Sequence, residues 1–457
     1  MTITLEPLDQ LRARIDGTVA LPGDPDYARC VPWNLAAVTE PGLVVFVRSS
    51  GDVAETLRYA RAVGATVAVA ATGHGALPLG PQTILVHTGE MCDVQVDPAS
   101  RVARIGAGAR WQHVLDAATP HGLAPLGGSS PSVGVVGFLT GGGIGPLVRS
   151  VGVSSDYVLA FELVTGSGEV LRVTPESHSD LFWGLRGGKA TLGIVTSVEL
   201  ELPRIPEFYG GALYFDGSSA SEVLHAWRRW TVGLPDKVST SVAMLQLPEI
   251  PDVPAPLAGR FSVAVRYVAL GDPAEAAELL APMRAAAPVM LDAVGVLPYS
   301  AIAAVHADPV APMPVREDHT LLSRLNTESV DALLAVAGPA AGSLQTIVEL
   351  RLLGGAFARP ARHRSAFCHR DGAYALTTIG VAVPELGDAV RSHASAVMAA
   401  VQPWSTGRQL PNFAAAADTG RLARCYDEDT LHQLAALAER YDPAGILRVG
   451  QVARYPL

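Results

Sequence analysis

One stretch of the chain, residues 127–145, consists almost entirely of glycine and of small or apolar residues. It reads GGSSPSVGVVGFLTGGGIG, so eight of its nineteen residues are glycine and none is charged. Glycine adopts positive φ angles and lets a ligand approach the backbone closely. Unpaired amide N–H groups in such a loop form a concave anion site, which can hold a diphosphate without a lysine. The stretch therefore predicts either a phosphate-binding loop or a tightly turned structural loop.

A histidine stands between two glycines in a second short motif, Thr72-Gly73-His74-Gly75. The motif directly follows a predicted strand, Thr66–Ala70. In α/β folds, ligands bind at the carboxyl ends of strands, where the backbone is exposed. His74 is therefore either a site residue or an ordinary loop histidine, and the motif alone leaves both interpretations open.

Composition restricts the class of protein. The 457 residues exceed what one hydrophobic core usually serves, so we expect two domains or one two-lobed unit. A net charge of −10 without a basic run argues against nucleic acid and anionic membranes as partners. We find no basic-apolar leader and no membrane-spanning stretch. The four cysteines lack metal or redox spacing, which favours free thiols, and we expect a cytoplasmic protein.

The elements around the two motifs begin with a strand–helix–strand unit. Leu43–Val47 and Thr66–Ala70 are typical of buried strands, and we expect them to run parallel. Asp52 and Glu55 are typical of the capped start of the helix between them. The further predicted elements are Thr83–His87, Asp93–Asp97, Val102–Ile105, Trp111–Ala118, a hairpin of Tyr157–Val164 and Glu169–Val173, and Gly193–Leu202.

A change in composition after residue 204 marks a second region. Two proline-bearing surface connections, residues 247–259 and 308–315, flank an alternating strand. An antiparallel sheet with helices on one side fits this pattern. The predicted elements are the strands Phe261–Leu270, Gln345–Leu352 and Tyr374–Val383 and the helices Pro273–Ala285, Glu385–Val401 and, in the tail, Asp429–Arg440.

Seven motifs, in order, resemble those of the FAD-linked oxidase superfamily that includes vanillyl-alcohol oxidase and p-cresol methylhydroxylase. Within it, the berberine-bridge-enzyme-like branch is the most similar. The motifs run from about Pro22 to Gln451 and are PGDPDY, Trp33-Asn34, VAVAATGHGA, GGSSPSVGVVGFLTGGGIG, DLFWGLRGGKATLGIVT, ELRLLGGA and ERYDPAGILRVGQ. A nicotinamide-binding Rossmann domain would instead need G-x-G-x-x-G after a first strand with an acidic residue further on, and the chain lacks this pattern.

The resemblance implies an α+β, two-lobed FAD-binding PCMH-type fold. It implies an FAD-binding domain at residues 1–204 and a substrate domain, with an antiparallel sheet flanked by helices, at residues 205–411. Residues 412–457 would form a C-terminal segment that returns to the FAD-binding domain. In relatives, the sheet of the substrate domain covers the flavin ring.

The resemblance also implies how FAD is held. His74 matches the histidine that relatives bond to the flavin 8α-methyl group. Ser130 stands where some relatives carry a second bonded cysteine, so we expect FAD to be monocovalent. Ala70 and Thr72 replace an arginine and a glycine that are usual in relatives. The expected cofactor-binding residues are Thr72, Gly73, His74, Gly75, Ser130, Val133, Gly134, Gly137, Gly141, Gly142, Gly143, Gly145, Gly193, Val195 and Asn412.

The catalytic base has no match to the family pattern. Flavin N5 accepts hydride, and a base usually takes the proton of the substrate hydroxyl. Relatives often supply a tyrosine in a tyrosine-x-asparagine motif, where this chain has Leu410-Pro411-Asn412. Each alternative residue also has an ordinary structural role open to it. We expect the catalytic residues among Glu349, Tyr374 and Asn412, with Arg351, His369 and Tyr426 as further candidates.

Three enzymatic functions fit the resemblance. The first is an FAD-dependent oxidase that takes hydride from an alcohol, a sugar or a similar C–H donor and passes electrons to molecular oxygen. The second is a dehydrogenase with another acceptor, and the third is a secondary-metabolite tailoring enzyme that cyclises or oxygenates a bulky substrate. A non-enzymatic binder is the alternative of another class. We predict the oxidase, acting on a small molecule as a monomer or homodimer; no H-E-x-x-H motif occurs, so we expect no metal.

Overall fold

The chain folds into three β-sheets with helices around them. The structure is a computed structural model that describes residues 5–189, 192–251, 253–413 and 419–449. The combination of helices with mainly antiparallel sheets is the α+β class expected from the sequence. Ala190 and Thr191 of the fifth motif and Gly450 and Gln451 of the last lie outside the described residues.

The first sheet has four strands and contains the predicted strand–helix–strand unit. The strands are β1 (Thr18–Ala20), β2 (Leu43–Phe46), β3 (Thr66–Ala70) and β4 (Thr83–His87), in the order β1-β2-β4-β3. Strands β2 and β3 both pair in parallel with β4, so the two run parallel but do not pair directly. Helices α1 (Leu5–Arg14) and α2 (Ser50–Val63) pack on one face. The cap of α2 is Ser49, whose Oγ accepts from the Asp52 amide, rather than Asp52 itself.

The second sheet has five antiparallel strands in the order β5-β6-β9-β7-β8. These are β5 (Val94–Asp97), β6 (Val102–Gly106), β7 (Val158–Val164), β8 (Val170–Val173) and β9 (Ile194–Glu201). Strands β7 and β8 form the predicted hairpin. The helices of this part of the chain are α3 (Trp111–Ala118), α4 (Val135–Thr140), α5 (Val148–Val151) and α6 (Ser179–Leu185).

The third sheet has eight strands. They are β10 (Glu207–Asp216), β11 (Val238–Gln246), β12 (Phe261–Ala269), β13 (Val289–Asp292), β14 (Gly295–Pro298), β15 (Val315–Leu322), β16 (Ile347–Leu352) and β17 (Tyr374–Val381). The order is β13-β10-β12-β11-β16-β17-β15, with β14 beside β10, and all pairs are antiparallel.

Helices accompany the third sheet and the tail. Those of the sheet are α7 (Ala220–Thr231), α8 (Pro273–Arg284), α9 (Thr327–Ala337) and α10 (Gly387–Ala400). The tail forms α11 (Thr419–Cys425) and α12 (Glu428–Tyr441). Leu434 and Ala438 of α12 join the same hydrophobic core as Phe182 of α6, so the tail packs against the second-sheet region.

The two faces of the third sheet differ in chemistry because side chains alternate along each strand. Val242, Leu350 and Leu376 face the helices and form a closed core. On the other face, Leu321 packs against Ile144 of the glycine-rich stretch, so this face looks toward the first two sheets. We call it the polar face, and its members are Tyr214, Ser241, Arg266, Glu317, His319, Glu349, Arg351 and Thr377.

Two arginines fasten the polar face to the rest of the chain. Arg149 of α5 is buried and donates through Nε to the carbonyl of Val238 at 2.8 Å. Arg370 forms a two-pronged ion pair with Asp156, with N–O distances of 2.9 and 2.8 Å. Such paired hydrogen bonds fix orientation as well as distance. The contacts of Arg149 and Arg370 therefore fix the position of the third sheet relative to the segments that contain Arg149 and Asp156.

None of the helices in the described ranges has the length and apolar character needed to cross a membrane. The four cysteines are free thiols. Within the described residues, no three metal-ligating side chains gather at one point.

Candidate active site

Glycines in the two motifs serve two different purposes. Gly142 has a φ angle of 89°, and a Cβ there would collide with the Phe367 ring, so this glycine is needed for packing. A Cβ at Gly75 or Gly137 would meet no atom within 4 Å, so these two glycines border open space. The open space lies where the sequence predicts a bound ligand.

Two runs of backbone amides in these motifs have no acceptor within the described part of the chain. They belong to residues 73–75 and to residues 128–132, apart from the proline at 131. The two runs adjoin, because Thr72 Oγ1 accepts from the Gly134 amide at 3.3 Å and His74 Nε2 lies 3.2 Å from Ser132 Oγ. Unpaired amides are what an anionic diphosphate requires. The residues present therefore fit the diphosphate of FAD.

His74 is held in one orientation by three neighbours. Its ring stacks on Trp33, with centroids 4.4 Å apart and planes 10° from parallel. Nδ1 lies 2.9 Å from Thr72 Oγ1, and Nε2 faces Ser132. Burial, assisted by the positive charge of Arg110, lowers the pKa of His74 to about 4. The imidazole is therefore neutral at pH 7, which is the form that acts as a nucleophile.

Asn412 lies against the glycine-rich stretch with both ends of its amide engaged. Nδ2 donates to the carbonyl of Phe138 at 2.8 Å, and Oδ1 accepts from Lys189 Nζ at 2.5 Å. Lys189 also donates to the carbonyl of Gly137 at 2.9 Å. Sequence reasoning found Asn412 but missed Lys189, because it stands inside a glycine motif, where it adopts a φ of 51°.

Glu349 is the centre of a buried ion cluster on the polar face. Its carboxylate accepts from Ser241 Oγ at 2.7 Å, from Arg266 at 2.8 Å and from Arg351 at 3.0 Å. Burial opposes its charge, yet Arg351 and Arg266 hold the pKa of Glu349 well below its ordinary value. A carboxylate held in this way is a strong hydrogen-bond acceptor and a poor base.

His306 completes the cluster and was not found from the sequence. It follows a 3-10 helix, Tyr299–Val305, and its Nε2 lies 3.1 Å from Arg351 Nη2. A guanidinium only donates, so Nε2 accepts from Arg351 when the neutral ring carries its proton on Nδ1. Nε2 also lies 3.4 Å from Glu349 Oε1, to which it donates in the other tautomer. Burial, with Arg266, lowers the pKa of His306 and favours this neutral form. Nδ1 has no partner among the described residues and adjoins a cavity of about 10 Å³, room for one water molecule.

The structure does not bring Tyr374 to this site, which corrects the sequence expectation. Tyr374 faces the helices, where its ring packs 5.9 Å from Trp227 and its hydroxyl lies 3.2 Å from Thr231 Oγ1. Tyr426 is likewise buried in a core, and its hydroxyl donates to the carbonyl of Gly187 at 2.8 Å. Both tyrosines have structural partners and no access to the polar face.

The other expected cofactor residues fall into two groups. Ser130 is buried, and its Oγ lies 2.7 Å from Ser132 Oγ, which connects it to His74. Gly193 and Val195 lie at the start of β9, where Val195 is part of the hydrophobic core and only the backbone is left for a ligand. The residues brought together around the glycine-rich stretch are Thr72, Gly73, His74, Gly75, Ser130, Val133, Gly134, Gly137, Gly141, Gly142, Gly143, Gly145 and Asn412.

Comparison with known proteins bears on this arrangement. A family described as "FAD binding domain" matches residues 41–174. The (R)-6-hydroxynicotine oxidase of Paenarthrobacter nicotinovorans is 27% identical over 458 residues, which cover 95% of this chain and 96% of that protein. The crystal structure of 6-hydroxy-D-nicotine oxidase from Arthrobacter nicotinovorans is 25% identical, with a TM-score of 0.83 over 96% of this chain and 97% of that one. Physcomitrella patens BBE-like 1 has a TM-score of 0.82 at 19% identity, over 96% and 97% of the two chains.

These similarities support the resemblance of the chain to the vanillyl-alcohol oxidase/p-cresol methylhydroxylase superfamily and its berberine-bridge-enzyme-like branch. The matched domain indicates that the protein binds FAD, and the amide runs beside His74 are suited to that cofactor. Some relatives are longer. The chain spans 44% of the FAD-dependent monooxygenase prx3 of Penicillium roqueforti, which is 32% identical over 227 residues, or 48% of this chain.

Proposed function

We propose that the protein is an FAD-dependent oxidase that oxidises an alcohol, a sugar or a similar C–H donor and passes the electrons to molecular oxygen. The observation that carries the proposal is one juxtaposition. A glycine-lined cradle with a neutral histidine adjoins, through the contact of Ile144 with Leu321, a sheet face that carries the buried Glu349 ion cluster. The first fits a flavin dinucleotide, and the second fits the polar group of a small substrate.

The names of full-length relatives support the oxidase assignment. Besides the 6-hydroxynicotine oxidases, the chain shares its fold with a chitooligosaccharide oxidase and with a carbohydrate oxidase from Microdochium nivale, with TM-scores of 0.81 and 0.82. These names describe small-molecule donors of unlike chemistry. They support the reaction class and leave the donor of this protein to experiment.

We infer that FAD is attached through one covalent bond to His74. A bond from the imidazole to the 8α-methyl group needs a neutral ring nitrogen, and burial keeps His74 in that form. The stacked Trp33 and the hydroxyls of Thr72 and Ser132 hold the ring in one place. The adjoining amides would hold the diphosphate, and Ser130 supplies no thiol for a second bond.

The bound flavin would supply a hydride acceptor, and the chain's own residues would prepare the substrate for it. The carboxylate of Glu349, fixed by Arg266 and Arg351, accepts a hydrogen bond from a substrate hydroxyl or amine and orients the donor carbon. Lys189 and Asn412 keep the glycine-rich stretch at a constant distance from the tail. Burial of the Glu349 cluster excludes water and strengthens its contacts.

We also propose the surroundings in which this chemistry takes place. The FAD-binding part would be residues 1–204, the substrate part residues 205–411, and residues 412–457 would return to the first part. The acidic balance and the four free thiols support a cytoplasmic monomer or homodimer without nucleic-acid or membrane partners. Light scattering on the purified protein tests the oligomeric state.

Reoxidation of the reduced protein tests the proposed function. The FAD-loaded protein is reduced with dithionite under nitrogen and then mixed with air-saturated buffer. An oxidase recovers its oxidised spectrum rapidly and forms hydrogen peroxide. Slow recovery in air together with fast recovery in an artificial dye would replace the proposal with a dehydrogenase. Oxygen uptake with alcohols, carbohydrates, alkaloid amines and polyketides then identifies the donor class, and a cyclised or oxygenated product would favour a tailoring enzyme.

A further inference from the structure

A second carboxylate, Glu317, lies on the polar face and has no part in the Glu349 cluster. It is on β15, two residues before His319, so both side chains leave the same side of the strand. His319 and Glu349 are both paired with Thr377 of the strand between them. With strands about 4.8 Å apart and a rise of about 3.3 Å per residue, Glu317 is roughly 12 Å from Glu349 along the same face.

Glu317 differs from Glu349 in its partners. Among the described residues, no hydrogen bond or ion pair reaches its carboxylate. Glu349, in contrast, has two arginines and a serine. Glu317 is exposed, so a ligand can meet its side chain.

The charged groups that face Glu317 come from two elements. Asp308, in the connection before β15, raises its pKa, and Arg421 of α11 lowers it. The negative charge of Asp308 also makes a small contribution to the pKa of His74, which is lowered overall, and to the raised pKa of Tyr214 of the polar face, so both groups lie within electrostatic reach of Asp308. Trp33, which stacks on His74, donates through Nε1 to the carbonyl of Val310 at 2.9 Å in the same connection. The connection that carries Asp308 therefore links the surroundings of Glu317 to those of His74.

We propose that Glu317 is the general base that receives the hydroxyl or ammonium proton of the substrate. This inference rests on the proposed function and assigns a residue to its proton transfer. Desolvation, with Asp308, raises the pKa of Glu317 to about 7, whereas the pKa of Glu349 is depressed. A base works best when its pKa lies near the working pH. The two carboxylates thus have separate tasks: Glu349 binds one polar group of the donor, and Glu317 takes the proton of the group that is oxidised.

The step balances for an alcohol as follows. The O–H bond of the substrate breaks and its proton goes to the Glu317 carboxylate. The C–H bond breaks with its electron pair, which leaves as hydride to the oxidised flavin, and the O–H electrons form the C=O bond. The substrate loses two electrons and two hydrogens. Oxygen then takes the electrons from the reduced cofactor, and Glu317 returns its proton to water.

The experiment compares Glu317→Gln with a matched control, Asp318→Asn. Asp318 is the next residue on the same strand, and its side chain leaves the opposite side. With the donor that gives oxygen uptake, the wild type and Asp318→Asn should show kcat/KM rising with pH through about 7, as the carboxylate forms. Glu317→Gln should lose that rise and about 100-fold or more of kcat at pH 8, with its bound FAD unchanged. Glu317→Asp, which keeps a shortened carboxylate, should recover part of kcat together with the pH rise.

A second measurement does not depend on turnover. The infrared difference spectrum of the FAD-loaded protein between pH 5.5 and pH 8.5 should lose the C=O stretch of a protonated carboxyl group, with a midpoint of about 7. The same band should be absent in Glu317→Gln and present in Asp318→Asn. A band that titrates only below pH 5, or one that persists in Glu317→Gln, would overturn the proposal. If the glutamine variant does not fold, Glu317→Asp is measured in its place.

The results separate this proposal from the one on which it rests. If the wild type takes up no FAD, the proposed function fails and the base assignment falls with it. If Glu317→Gln binds FAD and oxidises the donor at the wild-type rate with the wild-type pH dependence, only the assignment of Glu317 is overturned.

Discussion

The ammonium group of Lys189 lies 2.5 Å from Oδ1 of Asn412, 223 residues further along the chain. Lys189 also donates to the carbonyl of Gly137, and Asn412 donates to that of Phe138. Three distant segments, the glycine-rich stretch, the loop after α6 and the start of the tail, therefore meet at one partly buried cation. The fold of the cradle depends on this junction as well as on its glycines.

Replacing Lys189 with methionine should loosen that junction. The variant leaves the Gly137 carbonyl and Asn412 Oδ1 without a donor, which costs about 1–3 kcal/mol of the free energy of unfolding. Urea unfolding of the FAD-free protein measures this change. The chain contains two lysines, and the other, Lys237, forms a partly exposed ion pair with Glu275. Lys237→Met should therefore cost less than about 1 kcal/mol.

The same variant should change the pH dependence of stability. Burial, with Arg421, lowers the pKa of Lys189 to about 8 from 10.5. Between these values the unfolded chain binds more protons than the folded one, so the wild type gains stability as the pH rises from about 8 to 10. Lys189→Met should lack that gain. Equal slopes for the two proteins in this range would contradict a buried ammonium group.

Replacing Glu349 with glutamine should lower the free energy of unfolding far more than replacing a partly exposed glutamate. The change leaves Arg266 and Arg351 as buried charges without compensation, which costs about 3–5 kcal/mol. The control is Glu199→Gln, which breaks a partly exposed ion pair with Arg172 and should cost about 0.2–1 kcal/mol. Denaturant unfolding at pH 7 compares the two, and a similar small loss for both would contradict the cluster.

The acid behaviour of the Glu349 variant follows from its depressed pKa. The stabilising contribution of Glu349 is fully present above its unfolded value of 4.5 and is lost as the pH falls through the lower folded value. The difference in unfolding free energy between the wild type and Glu349→Gln should therefore stay constant from pH 8 to 6. This difference should become smaller only in acid, below about pH 4.5. A difference that already becomes smaller near pH 6 would contradict the pairing of Glu349 with Arg266 and Arg351.

Replacing Tyr374 with phenylalanine should leave substrate oxidation unchanged. The hydroxyl lies on the helix side of the sheet beside Thr231, so its loss removes about 0.5–1.5 kcal/mol of stability and no catalytic group. Steady-state oxygen uptake and thermal unfolding measure the two effects. A fall in kcat of about 100-fold, the size expected for a lost general base, would mean that Tyr374 is a catalytic residue.

Replacing His74 with alanine should release the flavin on acid precipitation. The wild type should keep its yellow colour in the pellet, and a flavin-bearing peptide containing His74 should appear after proteolysis. His121→Ala, at an exposed position, should behave as the wild type. If the yellow colour leaves the wild-type pellet, the covalent bond to His74 is excluded. FAD binding by this fold is not affected by that result.

The sequence predicted those helices and strands whose apolar residues recur at a regular period or whose ends are marked by glycine. Helix α3 has the predicted bounds, Trp111–Ala118, and the β7–β8 hairpin follows its glycine turn. The cradle was also predictable, because glycines and a flanked histidine after a strand indicate an exposed backbone. These signals are local, and each can be read within a few residues.

The faces of the third sheet were not predictable, because β16 and β17 are buried almost throughout. Hydrophobic alternation is then absent, and nothing local shows that Glu349 and Tyr374 leave opposite faces. In strand β15 the charged residues are consecutive, so alternation is absent there as well. The face on which Glu317 lies becomes known only from the register of β15 with β17. The sequence around His306 did not indicate a role for it, because its partner Arg351 is 45 residues away along the chain.

Uptake of FAD by a cradle-blocked variant tests the central claim most directly. A valine at Gly137 would extend into open space, so Gly137→Val should fold while its side chain occupies the place of the cofactor. Gly80→Val, at another glycine with nothing within 4 Å, is the control. After expression with ample riboflavin, the wild type and Gly80→Val should carry stoichiometric flavin absorbance, and Gly137→Val should be folded and colourless. A colourless wild type that takes up no added FAD, or a Gly137→Val variant that binds it normally, would contradict the account.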